Sequence, residues 1–194
     1  PRLRTAIQAA KQANMPKSNI SRAISKSEIS GDKNYENLRY EGFGPFNIAL
    51  IIETLTDNKN RSASSIRTIL QKNGGRLGET GSTKHLFNSC GIIQIEKNQI
   101  SEEKLFEISI NAGAIDCVFT PDNYEIITAK EDFYKVKTEL EKKIHSFKYS
   151  AIEWRAKDYI DLSKDQSKKI IDILSALEEI DDVQNMFINA NLKT

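Results

Sequence analysis

Residues 91–154 read GIIQIEKNQISEEKLFEISINAGAIDCVFTPDNYEIITAKEDFYKVKTELEKKIHSFKYSAIEW, and the rhythm of this stretch decides the fold. Residues 92–96 predict a strand and 101–112 a helix. Residues 115–120 and 124–128 predict two strands about the Pro121-Asp122-Asn123 turn. A helix is expected over 130–145, with Thr128 and Glu131 at the spacing of a capping box. A strand from about 148 to 154 completes β-α-β-β-α-β, the ferredoxin-like order.

On the N-terminal side, residues 35–90 switch to strand patterns. Residues 38–43 alternate, Gly44-Pro45 turns, and 48–55 form an apolar run suited to a strand buried on both faces. Residues 57–82, DNKNRSASSIRTILQKNGGRLGETGS, follow as a polar turn, a short amphipathic helix, a double-glycine stop and a glycine loop. Ala63, Ile66, Ile69 and Leu70 make the buried stripe of that helix, and Gly74 is placed to end it in the left-handed conformation. Residues 85–90 predict a returning strand.

On the C-terminal side, 157–162 predict a strand, and Ser163 with Gln166 a second capping box. Ile170, Ile171, Leu174 and Leu177 stripe a helix, and 183–188 predict a closing strand. Neither flank makes a convincing sheet alone, so the economical architecture is one interrupted domain: 35–90 with 156–194 as an α/β unit, and 91–155 as a ferredoxin-like insert.

Residues 1–34 are helical in pattern. Leu3, Ile7 and Ala10 mark one face of a first helix, Pro16 can open a second, and Ile20, Ala23 and Ile24 stripe it. Two such short helices cannot close a core, so a further helix is expected before Pro1, and the natural start is expected upstream. Ser30-Gly31-Asp32 reads as a linker. The fold class is therefore α+β in three domains: a truncated N-terminal helical bundle, an α/β middle domain and the inserted ferredoxin-like domain.

The 194 residues, 39% apolar, support real cores. The longest apolar run, Ile48 to Ile52, is far shorter than the roughly 18 residues of a membrane helix, and no secretory signal is seen. Cys90 and Cys117 suit neither a disulfide framework nor a zinc site, and read as small buried thiols in a reducing, cytoplasmic setting.

The net charge of +1 hides an uneven distribution. Arg2, Arg4, Lys11, Lys17, Arg22 and Lys26 stand against Glu28 in residues 1–31, a net of +5. Lys59, Arg61, Arg67, Lys72, Arg76 and Lys84 stand against Asp57 and Glu79 in 57–84, a net of +4. Residues 161–182 carry a net of −4. The twelve basic residues named are the candidate contacts for a nucleic-acid backbone, against the alternative of ordinary solvated helix faces.

The glycine loop 74–82 matches neither a P-loop nor a dinucleotide fingerprint. It reads either as a helix-to-strand connection or as backbone N–H groups that, with Arg76, hold an anion. His85, taken as a strand residue, and His145 lack any catalytic signature. Glu102-Glu103 and Glu131-Asp132 complement helix dipoles. Residues 178–182, EEIDD, read as a solvated helix terminus, with a divalent ion as the alternative. Trp154 reads as core or interface packing, with base stacking as the alternative. No cofactor, metal site or catalytic group is expected.

Several strings together resemble one family: residues 14–20, NMPKSNI, with Arg22-Ala23-Ile24; 39–45, RYEGFGP; 55–61, LTDNKNR; Lys72-Asn73-Gly74-Gly75; Leu77-Gly78; Gly81-Ser82; and Asp181-Asp182-Val183-Gln184. The whole chain is similar to the YebC/PmpR family of probable transcriptional regulators, which includes a mitochondrial translational activator of cytochrome oxidase. The resemblance implies the same three domains and a cytoplasmic, DNA-binding regulator without enzymatic activity. A competing implication is a ribosome-associated factor that relieves stalling on proline-rich stretches through ribosomal RNA. The family's basic opening helix with its Gly-His-Ser-Lys-Trp start is not present. Phe46-Asn47 stands where two glycines are usual, and residues 154–157 stand where a Met-Ile-Pro string is common.

Overall fold

A computed structural model describes residues 3, 6, 7, 10, 15–29 and 35–193, with side chains described outside 26–29. Leu3, Ile7 and Ala10 are helical, and α1 (Lys17–Ile29) opens where Asn19 and Ile20 donate to the Pro16 carbonyl. Ile20 is buried and Ile24 half-buried, whereas Ala23, expected in the same stripe, is exposed. The linker 30–32 lies outside the described residues.

The first sheet contains β1 (Glu36–Phe43), β2 (Ala49–Thr56), a two-residue β3 (Arg76–Leu77) and β9 (Val183–Ile188), in the order β3-β1-β2-β9. Its centre is β2, where Ala49, Leu50, Ile51 and Ile52 are all fully buried because both faces are covered. On one face Ile48, Leu50 and Ile52 meet Ile66 and Leu70 of α2 (Lys59–Lys72) and Ile170, Ile173 and Leu177 of α5 (Lys164–Glu178). On the other, Ala49 and Ile51 meet Phe87, Leu86, Trp154, Ala156 and Phe187. The apolar run thus reports a two-sided environment, as expected.

The second sheet contains β4 (Phe87–Glu96), β5 (Asp116–Phe119), β6 (Asn123–Ala129) and β7 (Tyr149–Ala156) in the order β5-β6-β4-β7, with antiparallel neighbours throughout. With α3 (Glu102–Ala112) and α4 (Phe133–Glu141) this is the β-α-β-β-α-β succession read from the sequence. Ile93, Ile95, Tyr124 and Ile126 face Leu105, Phe133, Val136 and Leu140 of the two helices. The chain leaves the first sheet after β3 and rejoins it at β9. A short parallel pair, β8 (Ile160–Asp161) with β10 (Ala190–Asn191), closes the return.

Three expectations change. Residues 85–90 are not a separate strand: Lys84–Leu86 is a single tight helical turn containing His85, and β4 runs unbroken from Phe87 through Gly91. Gly91 does not break the strand; it makes room, since a Cβ there would meet Phe133 and Thr128. The capping box at Thr128 is absent. Thr128 is a β6 residue opposite Gly91, its hydroxyl donates to the Ala129 carbonyl, and α4 starts only after Asp132. Finally, 157–162 contribute only the two residues of β8. The Ser163–Gln166 capping box forms in full. Among the described residues no helix is long and apolar enough to cross a membrane.

Candidate nucleic-acid interface

The start of α2 is capped by Asn58, whose side chain accepts from the Arg61 N–H, and pinned to β1 by the Tyr40 hydroxyl, 2.8 Å from the Lys59 carbonyl. Below it lies a carboxylate that the sequence reading left in solvent. Asp182 is buried, and its oxygens accept from Ser62 Oγ at 2.6 Å, Thr56 Oγ1 at 3.1 Å and Arg61 Nη2 at 2.8 and 3.0 Å. Burial opposes the charge, but the bonds from Ser62, Arg61 and Thr56 outweigh it and hold the Asp182 carboxyl below its ordinary value. Asp57 pairs with the same guanidinium at 2.8 Å, so Asp182 and Asp57 together raise the Arg61 pKa. Arg61 is therefore a neutralised junction between α2 and the start of β9. The acidic run 178–182 is correspondingly no uniformly solvated terminus.

The glycine loop does hold an anion, and the anion is the protein's own. Glu41 of β1 is buried, and its carboxylate accepts from the N–H groups of Gly81 at 3.0 Å, Thr83 at 2.8 Å and Lys84 at 2.8 Å, and from Thr83 Oγ1 at 3.2 Å. Arg39 Nε adds an ion pair at 3.3 Å. Burial works against the charge here too. The three backbone donors and Arg39 prevail, leaving the carboxyl below its ordinary value. These N–H groups are committed, which removes them as a cradle for an external phosphate. Upstream, Gly74 takes φ 79° to end α2, and Gly75 passes so close to the Phe43 carbonyl and Gly44 that a side chain would collide.

The twelve sequence-predicted contacts fall into distinct places. Arg2, Arg4, Lys11 and the side chain of Lys26 lie outside the described residues; Lys17 and Arg22 are exposed on α1. Lys59, Arg67 and Lys72 are exposed on α2, and Arg76 and Lys84 are exposed beyond it. Among the described residues the ion pairs of this region are Arg39–Glu41, Arg61–Asp57 and Arg61–Asp182, which engage none of these five.

The five do not form one continuous stripe. Arg67 and Lys72 project about 140° apart around the helix axis. The 14 residues of α2 separate Lys59 from Lys72 by about 20 Å. Arg39, Glu41 and Phe43 share the sheet face opposite α2, in register with Glu53, Ile51 and Ala49. Arg76 lies over the Phe43 ring at 4.6 Å, and the Lys84 N–H binds Glu41, so both belong to that far side.

Sequence reasoning missed Glu41, Asp182 and Lys169. Alternation in β1 puts Glu41 in phase with Arg39 on a polar face, so no local signal pointed to its burial. Lys169 of α5 lies 5.8 Å from the Phe46 ring, a contact no local pattern carries. Trp154 packs between the sheets, its Nε1 donating to Glu53 at 3.0 Å and Arg39 lying 4.9 Å over its ring. Burial pushes both cysteine thiols up. Among the described residues no group of three or more His, Cys, Asp or Glu is placed to hold a metal ion.

Comparison with known proteins adds the family. The family model described as TACO1/YebC second and third domain matches residues 35–190. A probable transcriptional regulatory protein of Pelagibacter ubique (strain HTCC1062) is 51% identical over 193 residues, covering 100% of this chain and 80% of that protein. Another from Zymomonas mobilis is 43% identical over 193 residues, covering 99% of this chain and 77% of that protein. The crystal structure of a conserved hypothetical protein from Aquifex aeolicus is 38% identical with a TM-score of 0.83, covering 100% of this chain and 81% of that one.

Proposed function

The chain belongs to the TACO1/YebC family, and from that premise we propose that it is a non-enzymatic, cytoplasmic regulator of transcription that binds DNA through its exposed basic residues. The observation that carries the reading is the set of exposed cations Lys59, Arg67 and Lys72 on α2, with Arg76 and Lys84 on the far side of the sheet, none of which takes part in an ion pair among the described residues. Such side chains contact phosphates, which hold a protein on a nucleic acid without reading its sequence. Lys17 and Arg22, exposed on α1, are added to the proposed set, and Arg2, Arg4, Lys11 and Lys26 join it on charge alone. Arg61 is excluded from the contact set because Asp57 and Asp182 already neutralise it.

We also propose that residues 35–90 with 156–194 form one unit and 91–155 the insert. Support comes from the separate cores against α2 with α5 and against α3 with α4.

A salt titration of binding to duplex DNA tests the functional reading. Three or more phosphate contacts give a slope of log affinity against log salt of about −3 or steeper. An affinity independent of salt removes the electrostatic basis of the proposal.

A further inference from the structure

Strand β5 forms a free edge of the second sheet: among the described residues it pairs with β6 alone. The Thr120 N–H donates to the Asn123 carbonyl at 3.0 Å, so along this antiparallel ladder the backbone groups of Cys117 and Phe119 turn away from β6. Asp116 Oδ1 accepts from the Cys117 N–H at 2.8 Å, whereas the Cys117 carbonyl and both backbone groups of Phe119 have no partner strand. Sheet edges are ordinarily blunted by lysine, proline or a bulge, and β5 carries none of these.

The side chains beside this edge are apolar and exposed. Phe119 lies on the helix-covered face with Tyr124, ring edge to ring face at 5.3 Å, and Val118 points to the opposite face. On α3, Leu105 and Ser109 are buried against the sheet, and Phe106 and Ile110 each follow one of them by about 100°. Strands β4 and β5 are parallel, both being antiparallel to β6, and the right-handed β4-α3-β5 crossover turns that flank of α3 towards β5 and away from α4. Phe106 is 49% exposed, and Ile115, at the entry to β5, 64%. Around them the exposed charges are acidic: Glu102, Glu103 and Glu107 lie within one helical turn of Phe106 or Ile110, and Asp116 and Asp122 at and just beyond the ends of β5. Residues 101–122 hold these five acids against Lys104 alone, a net of −4, and Lys104 projects about 160° from Phe106 around the helix. Lys97 lies 5.5 Å from the Tyr124 ring at one end of the strip, and Lys135 of α4 beside Gly113 at the other. Among the described residues none of the five acids takes part in an ion pair.

We infer that the β5 edge is a docking site for an extended, lysine- or arginine-rich segment of a partner protein that carries interspersed apolar residues. Its backbone adds a strand to the sheet through the outward groups of Cys117 and Phe119. Its apolar side chains pack on Phe119 and Phe106 or on Val118, and its cations meet Glu103, Glu107 and Asp116. A second copy of the same edge fits worse. Antiparallel pairing of two β5 strands about Val118 sets two α3 flanks of like charge side by side, which repels. The same acids repel a nucleic-acid backbone, so the inference concerns a protein partner and stands apart from the DNA reading.

The test titrates the full chain into labelled peptides of about eight residues, one alternating Lys and Val and one alternating Glu and Val. The Lys-Val peptide is expected to bind and to slow hydrogen exchange at the Phe119 amide, and the Glu-Val peptide to stay free. Glu103→Lys/Glu107→Lys should weaken binding about tenfold, and Phe106→Ser should weaken it as well. Glu131→Lys/Glu141→Lys, the same change of charge elsewhere on the insert, should bind within about twofold of wild type. All five side chains are exposed, so thermal midpoints close to wild type show that a loss is not unfolding. Equal losses in the two charge-reversed variants, a Phe119 amide that does not respond, or a Lys-Val peptide that stays free overturns the inference. A wild-type dimer in sedimentation whose Phe119 amide is already protected assigns the edge to a second copy and also overturns it. None of these outcomes touches the salt dependence of DNA binding, so the two readings fail separately.

Discussion

The two ends of α2 carry the same kinds of residue and use them in opposite ways. At the Asn58 end an arginine is tied to two carboxylates, one of them buried under Ser62 and Thr56, and the backbone is capped and unstrained. At the Lys72 end Arg76 lies over the Phe43 ring and Lys169 lies 5.8 Å from the Phe46 ring, and neither takes part in an ion pair among the described residues. The difference teaches that formal charge in a segment is a poor guide to where an anion can bind. What matters is whether the fold has already supplied one.

Breaking the satisfied end should have the largest effect on stability. Asp182→Ala removes the acceptor that Ser62, Thr56 and Arg61 share, and should cost about 3 kcal/mol in chemical denaturation. A loss under about 0.5 kcal/mol, the scale of an ordinary surface substitution, would show that the network is incidental. Next, Glu41→Gln keeps the shape but removes the charge that draws the 81–84 N–H groups inward. It should cost about 1–2 kcal/mol and raise amide exchange in that loop ahead of the rest of the first sheet. Uniform exchange would contradict the role assigned to Glu41.

The pH dependence sharpens the same contrast. Glu41 and Asp182 are both held below their ordinary values, 4.5 and 3.8, in the folded chain. As pH falls, the unfolded state therefore takes up these protons first. The stability they contribute is complete above the unfolded carboxylate range and is lost as pH drops through the depressed folded values. Thermal midpoints between about pH 6 and pH 3 should fall, and fall less steeply in a Glu41→Gln/Asp182→Asn double variant. Equal slopes would sink the linkage.

The smallest expected effects belong to the open cations. Arg67→Ala should change stability by less than about 0.5 kcal/mol yet flatten the salt slope of DNA binding by about 0.9. The reverse pattern, lost stability with an unchanged slope, would make Arg67 a structural residue like Arg61.

Much of the fold was legible because its signals are short-range. The β-α-β-β-α-β succession, the two-sided burial of β2, the Ser163–Gln166 box and the left-handed Gly74 all depend on residues a few positions apart. The misreadings occurred where tertiary demand overrode local pattern. Thr128 has capping-box spacing but is claimed by strand pairing with Gly91. The segment before Gly91 looked like a separate strand because glycine usually punctuates, whereas here it clears space for Phe133.

The candidate site was legible in composition and not in arrangement. Local periodicity and cap chemistry were enough to mark α2, its glycine stop and the basic character of 57–84. Which of those charges remain free was decided by partners far along the chain: Asp182, 121 residues from Arg61, and Glu41, 42 residues from Thr83. Hydrogen bonds and ion pairs act over about 3 Å in space, and sequence spacing encodes such distances only within a turn or a hairpin. Beyond that, the packing of one sheet between its helices and its neighbouring sheet determines which charges meet.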